Sequence, residues 1–315
     1  MRMFSFAVLT LLAMCTALSA QAAAGATAAA AAPAVPASTV PATSTTPLAA
    51  SKIVLVGDST TAVQGGWGPS FCAQHVTSFL SCLNLARGGR STSNYRAEGS
   101  WEIALKELRS GGYRQVVVLI QFGHNDQPGK PGRSTDLTTE FPANLRRYVN
   151  EARAAGALPV LVTPLTRRQF EHGQLIDDLA PWAAATRAVA RELQVPLIDL
   201  HARSRALVQG MGPVLAMRLA QRPAEPAQLV AAQSGTTIGK TPAQIVAPSS
   251  APASVAKPTT TAATAQDNAS AEPMGQAKLA FDYTHLGAEG ADLFAAIVAD
   301  ELAQQMPALR PLLIP

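Results

Sequence analysis

Four short stretches of this chain carry residue types suited to nucleophilic and acid–base chemistry. Asp282-Tyr283-Thr284-His285-Leu286 places an aspartate three residues before a histidine. At that spacing the carboxylate reaches the imidazole Nδ1–H within one turn. It then holds the tautomer, stabilises an imidazolium and leaves Nε2 to take a proton from a hydroxyl. The bland alternative has Asp282 or Thr284 capping the next helix, with His285 incidental. A hydroxyl lies in Gly57-Asp58-Ser59-Thr60, where the alternative is an ordinary turn capped by Asp58 or Ser59. Asn84-Leu85-Ala86-Arg87-Gly88-Gly89-Arg90-Ser91 carries paired glycines, which allow close backbone approach and an N–H aimed at a ligand, or simply a loop. Phe122-Gly123-His124-Asn125-Asp126 offers an amide able to donate to a developing oxyanion, and a histidine whose simplest role is a buried, hydrogen-bonded one. Singly, each stretch has a structural explanation. Together they supply a nucleophile, oxyanion donors, a base and an orienter, the parts needed for acyl transfer through a tetrahedral intermediate. The competing chemistry is a metal centre of His124, Asp126, Asp282 and His285. No third histidine falls at ligand spacing, so no metal is expected, and acyl transfer by such a set needs no organic cofactor.

These stretches need a scaffold that brings them together. Short apolar runs predict buried strands at 52–56, 80–86, 115–122, 158–163 and 196–200. Helical spacing predicts helices over 69–79, 94–108, 137–155, 181–193, 201–219 and 288–305. Strands alternating with helices imply a parallel sheet covered on both faces, with ligands at the carboxyl ends of the strands. The first three chemical stretches each follow a predicted strand, and the fourth precedes the last helix.

The set resembles the SGNH, or GDSL, hydrolase superfamily, named for a Ser, a Gly, an Asn and a His in four blocks. Those letters fall on Ser59, Gly89, Asn125 and His285, and Asp282 matches the aspartate of the Asp-x-x-His block. Gly88 competes for the glycine role; Gly89 is preferred because it directly precedes Arg90-Ser91. The wording Gly-Asp-Ser-Thr, Gly-Gly-Arg-Ser and Phe-Gly-His-Asn-Asp is similar to the rhamnogalacturonan acetylesterase branch. The resemblance spans about residues 53–219 and 278–302. It implies a three-layer α/β/α sandwich with a five-stranded parallel sheet, flavodoxin-like in topology. It also implies catalysis by Ser59, Asp282 and His285, with an oxyanion hole of the Ser59 and Gly89 N–H groups and the Asn125 side chain. The implied activity is that of a serine carbohydrate esterase acting on O-acetyl esters of a pectic, rhamnogalacturonan-like polysaccharide or oligosaccharide. Arg90, His124 and Arg167 are the expected substrate contacts, the arginines facing an acidic sugar or serving as structural ion pairs. The alternatives are a lipase or thioesterase using the same residues, and a non-catalytic carbohydrate-binding envelope protein.

Composition frames this picture. Of 315 residues, 15% are charged and the net charge is only +4, without a basic run, so no nucleic-acid partner is expected. Arg2, the apolar stretch 4–18 and Ala20-Gln21-Ala22 read as a signal peptide over residues 1–22, which predicts export to the periplasm or the cell exterior. Cys15 suggests a lipoprotein, but Met14 stands before it where a small residue belongs. No later segment is apolar long enough to span a bilayer, so no stable membrane insertion is expected after signal removal. A monomer acting on an acetylated carbohydrate is the expectation. Residues 23–50 read as an Ala/Pro/Thr linker. The hydrolase domain then spans 51–306, interrupted at about 222–276 by a low-complexity segment, read as a flexible insertion rather than an active-site lid or a partner-docking segment. Cys72 and Cys82 form either a disulfide or two buried thiols. Trp67 and Trp101 either stack on sugars or pack in the core.

Overall fold

The computed structural model describes residues 49–238 and 279–315. The expected signal peptide, nearly all of the expected linker and the insertion from residue 239 to 276 lie outside the described residues. The strands are β1 (Ser51–Gly57), β2 (Leu80–Asn84), β3 (Val116–Gln121), β4 (Leu158–Val162), the hairpin pair β5 (Phe170–Glu171) and β6 (Gln174–Leu175), and β7 (Leu197–Ile198). Five of them form one parallel sheet in the order β2-β1-β3-β4-β7. The helices are α1 (Gly68–Gln74), α2 (Asn94–Ala97), α3 (Ser100–Leu108), α4 (Glu140–Ala154), α5 (Ala180–Leu193), α6 (Leu200–Leu215), α7 (Pro226–Gln233) and α8 (Ala288–Gln305).

Successive side chains of a strand point to opposite faces, and here both faces feed a core. Ile53, Leu55, Val117, Leu119 and Val160 pack with Phe71 of α1, Val208 of α6, and Phe294 and Val298 of α8. Val54, Val56, Val118, Ile120 and Leu161 pack with Trp101 of α3, Phe141 and Leu145 of α4, and Val189 of α5. Each such side chain contributes roughly 1.5–3 kcal/mol of burial before conformational entropy is set against it. Double-sided burial explains why the central strands are unbroken apolar runs. The result is the expected three-layer α/β/α sandwich around a five-stranded parallel sheet.

Local departures from the expected elements have identifiable causes. The helix expected over 94–108 is two helices, because Gly99 at φ 86° turns the chain between them. The helix expected over 201–219 kinks at Gly212-Pro213 and finishes as a 3₁₀ turn. The hairpin β5–β6 was not expected, and two-residue strands carry too little pattern to be seen in sequence. Cys72 of α1 and Cys82 of β2 are joined as a disulfide with Cα atoms 5.3 Å apart. Trp67 and Trp101 are fully buried, their indole N–H groups donating to Gln121 (2.6 Å) and Glu151 (2.5 Å), so neither is available to stack on a sugar. The stretch read as an insertion begins with structure. Helix α7 is followed by Gly235 and Thr237, which hydrogen-bond to Gly173 and Phe170 of the β5–β6 hairpin. Ala220 and Leu286 form an antiparallel bridge, which sets the start of this stretch beside His285.

Candidate active site

Strand order reverses at β1, which has β2 on one side and β3 on the other. The helices that follow β1 and β3, α1 and α4, cover opposite faces of the sheet. Such a reversal opens a crevice at the carboxyl ends of the strands, where α/β proteins bind ligands. Ser59 follows β1 and Asn125 follows β3, so both stand at this crevice.

The turn carrying Ser59 is tightly determined. Asp58 Oδ1 accepts the Thr60 N–H (2.9 Å) and hydroxyl (2.8 Å), and the Asp58 carbonyl accepts the N–H groups of Thr61 (3.1 Å) and Ala62 (3.0 Å). Gln121, the last residue of β3, accepts the Thr61 hydroxyl (2.5 Å) and the Trp67 indole (2.6 Å). The chain from 60 to 67 thus closes on itself, with Trp67 N–H donating to the Thr60 carbonyl (2.9 Å). Ser59 is left half-buried, and neither its N–H nor its hydroxyl makes a hydrogen bond among the described residues.

The same loop receives the histidine. Gly65 (φ 84°) accepts the Leu286 N–H at 2.8 Å, and a Cβ at Gly65 would sit 3.1 Å from both Cβ and Cδ2 of His285. Only glycine allows that approach at that backbone angle. His285 Nδ1 lies 2.6 Å from Asp282 Oδ2, while Asp282 Oδ1 accepts the N–H groups of Thr284 (2.7 Å) and His285 (2.6 Å). Partial burial pushes Asp282 up, but the His285 ring and these two N–H groups outweigh it and hold the carboxyl well below its ordinary value. Asp282 is therefore anionic, which makes Nδ1 the protonated nitrogen and Nε2 the basic one. Nε2 has no hydrogen-bond partner among the described residues. A second aspartate–histidine contact, Asp177 to His201, differs on this point. Its Nε2 meets Asp177 Oδ1 at 2.7 Å and its Nδ1 meets an Arg187 nitrogen at 3.3 Å, so neither nitrogen is left to act as a base.

Arg168 holds the Asp-x-x-His block in place. Its guanidinium is buried and donates to the carbonyls of Asp282 (3.0 Å), Thr284 (3.2 Å) and His285 (2.7 Å). Burial lowers it to about 10, still far above neutrality, so it remains charged. Arg168, next to the expected substrate contact Arg167, is a clamp on the Asp-x-x-His block. No local pattern reports a partner more than a hundred residues away.

Two of the oxyanion-hole candidates, Asn125 and Gly89, lie close together. Asn125 Nδ2 donates to the Arg90 carbonyl at 3.0 Å, which joins the third block to the second and leaves its other hydrogen uncommitted. Gly89 has φ 75°, and its N–H has no acceptor among the described residues. Asp126 makes the second tie: its Oδ1 accepts the Thr92 N–H (3.0 Å), the Thr92 hydroxyl (2.6 Å) and the Thr135 hydroxyl (3.0 Å). Burial nonetheless pushes Asp126 up to about 7. Its role as a tie had no sequence signal beyond its place after Asn125.

The three expected substrate contacts are engaged within the protein. Arg90 is buried and pairs with Glu98 at 2.8 Å. Arg167 pairs with Asp178 at 2.5 Å. His124 is buried with Nδ1 3.4 Å from Asp58 Oδ2. Burial drives His124 toward its neutral form against the pull of Asp58. The metal alternative fails on the same geometry. His124 faces Asp58, Asp126 binds two threonines, and among the described residues no three potential ligands gather.

Comparison with known proteins agrees with this arrangement. The model of the GDSL-like lipase/acylhydrolase family matches residues 55–214, half of the chain. The chain belongs to the GDSL-like lipase/acylhydrolase family. Within this family of ester hydrolases it is similar to the rhamnogalacturonan acetylesterase RhgT of Bacillus subtilis (strain 168), 38% identical over 176 residues, which cover 53% of this chain and 72% of RhgT. It is also similar to the probable rhamnogalacturonan acetylesterase YesY of the same organism, 34% identical over 170 residues, covering 52% and 76%. The fold resembles the crystal structure of protein YxiM from Bacillus subtilis, with a TM-score of 0.51 and 22% identity over 82% of this chain and 58% of that one. The matched residues include Ser59, Gly89 and Asn125, while Asp282 and His285 lie beyond them. Among the described residues no helix is long and apolar enough to cross a membrane.

Proposed function

We propose that the protein is an exported carbohydrate esterase that removes O-acetyl groups from a pectic, rhamnogalacturonan-like polysaccharide or oligosaccharide. The observation that carries the catalytic part is the Asp282–His285 contact of 2.6 Å, packed against the loop that begins at Ser59. Ser59 Oγ attacks the acetyl carbonyl carbon and passes its proton to His285 Nε2. The tetrahedral oxyanion is received by the N–H groups of Ser59 and Gly89 and the Asn125 amide. His285 returns the proton to the departing sugar oxygen as the ester C–O bond breaks, leaving an acetyl-Ser59 enzyme. Water, deprotonated by His285, then releases acetate and restores the serine, so ester and water become acid and alcohol. The acetyl-sugar specificity is supported by the likeness to RhgT and YesY.

The test is acetate release from a panel of acetylated polysaccharides by the parent and by Ser59→Ala. The parent is expected to release acetate from acetylated rhamnogalacturonan and the variant at least 10³-fold less. Equal release by both removes Ser59 from the reaction. Export is tested by locating the full-length chain in periplasmic or culture fractions; retention in the cytoplasm overturns it. A longer acyl group is the second reading. A cavity of about 410 Å³ lies between the residues after Ser59 and the end of β2, lined by Ala62, Val63, Leu85, Ala86 and Ile103 among others. A rate that climbs from acetyl to octanoyl nitrophenyl esters favours it; a rate that falls favours acetate.

A further inference from the structure

Strand β3 is apolar until its last residue, Gln121, which is buried like those before it. A buried amide is costly unless its groups are met. Here they are met by one loop, the segment that runs from the turn of Ser59 to the glycine facing His285. Gln121 Oε1 accepts the Thr61 hydroxyl (2.5 Å) and the Trp67 indole (2.6 Å), and Nε2 donates to the Thr60 hydroxyl (3.2 Å). All three partners are buried as well. The direction of each bond is determined. An indole N–H can only donate, so the amide oxygen must face it. The Thr60 hydroxyl gives its hydrogen to Asp58 Oδ1 (2.8 Å), so toward Gln121 it can only accept. A carboxylate in place of the amide would serve Trp67 and Thr61 but has no hydrogen for Thr60.

The backbone is shaped for this reach. Gly57 pairs with Gln121 in the β1–β3 register. A Cβ at Gly57 would lie 2.6 Å from the Gln121 carbonyl oxygen and 3.0 Å from the Thr61 hydroxyl oxygen. Strand ends that close leave no room for a side chain, and glycine supplies the space. Through Thr60 the amide braces the turn of Ser59, because the Thr60 N–H and hydroxyl both go to Asp58 on the other side of the serine. Through Thr61 and Trp67 it braces the loop whose Gly65 accepts the Leu286 N–H (2.8 Å) and lies against His285. Asn125 follows four residues later on the same chain segment. One side chain thus ties the end of β3 to both the serine turn and the seat of the histidine.

We propose that Gln121 is a positioning residue: its amide keeps the Ser59 turn and the loop that seats His285 in register with the strand leading to Asn125. This rests on the serine esterase reading above and adds to it a residue that acts only through its neighbours.

The test compares the parent with Gln121→Met, which removes all three bonds, and with Thr61→Val, which keeps the side-chain shape and removes one. Substrate is 4-nitrophenyl acetate, at a temperature well below the thermal unfolding of every sample. In Gln121→Met kcat is expected to fall about 10²-fold, the usual cost of a misplacement of about 1 Å, with KM changed by less than about twofold. Thr61→Val should show a smaller loss in the same parameter. A role confined to stability would lower Tm and leave kcat alone, and that result overturns the proposal. Should Gln121→Met not fold, Thr61→Val decides: an unchanged kcat overturns it. A second measurement needs no turnover. The imidazole NMR signals of His285 should shift or broaden in Thr61→Val, while those of His75 and His201, which contact Ile314 and Asp177 elsewhere, stay in place. An unmoved His285 signal overturns the proposal. A parent inert on every ester, with the His285 signal displaced in the variant, sinks the esterase reading and leaves the hold of Gln121 on the histidine loop standing.

Discussion

Replacing Arg168 with methionine tests whether Asp282 and His285, the proposed orienter and base, depend on a buried cation far away in sequence. The guanidinium donates to three carbonyls of the block, at 3.0, 3.2 and 2.7 Å. A hydrogen bond from a charged donor contributes roughly 1.5–3 kcal/mol, so the three together are worth about 4–9 kcal/mol. Opposing this, burial lowers the guanidinium to about 10, a displacement equivalent to roughly 3 kcal/mol of desolvation that methionine does not incur. The expected net loss is about 1–6 kcal/mol, which for a domain of this size lowers Tm by roughly 2–4 °C per kcal/mol. Activity should fall further than stability explains. Without its anchor the 282–285 segment shifts against Gly65, and misplacement of a catalytic group by about 1 Å costs ~10²-fold. The assay is kcat/KM on 4-nitrophenyl acetate at 25 °C, with thermal unfolding of the same samples. A variant of lowered Tm and parental kcat/KM would show that the block holds its geometry unaided. Parental values of both would refute the clamp.

Two other substitutions probe the remaining ties. Asn125→Ala should unfold as cooperatively as the parent and lose about 10²–10³ in kcat, the usual cost of one oxyanion donor; an unchanged kcat removes Asn125 from the site. Asp126, pushed by burial up to about 7, titrates well above the ordinary carboxyl range. A raised carboxyl keeps its proton in the folded state, so the stability linked to it is full below about pH 4, declines between about 4 and 7 and stays low above that. Asp126→Asn keeps an acceptor for Thr92 and Thr135 and carries no charge. It should therefore flatten the decline in urea-unfolding free energy between pH 4.5 and 7.5, and an unaltered slope would disprove the assignment.

Much of this protein was legible from residue order because the informative signals are local. Strand runs such as 115–122 declare themselves by unbroken apolar character, since a parallel sheet covered on both faces leaves no polar side. Asp282 and His285 declare themselves because three residues of separation suffices for the carboxylate to reach the ring. Ser59, Gly89 and Asn125 each follow a strand run, but it is the resemblance to the family's blocks that marks them as site candidates. The tertiary structure alone decided which charges cancel. Glu98 pairs with Arg90 and Asp178 with Arg167, Asp58 faces His124, and Arg168 reaches the carbonyls of residues 114 to 117 positions later. Residue types and short intervals fix what a segment is able to do, whereas desolvation and charge compensation depend on which distant segments fold against it.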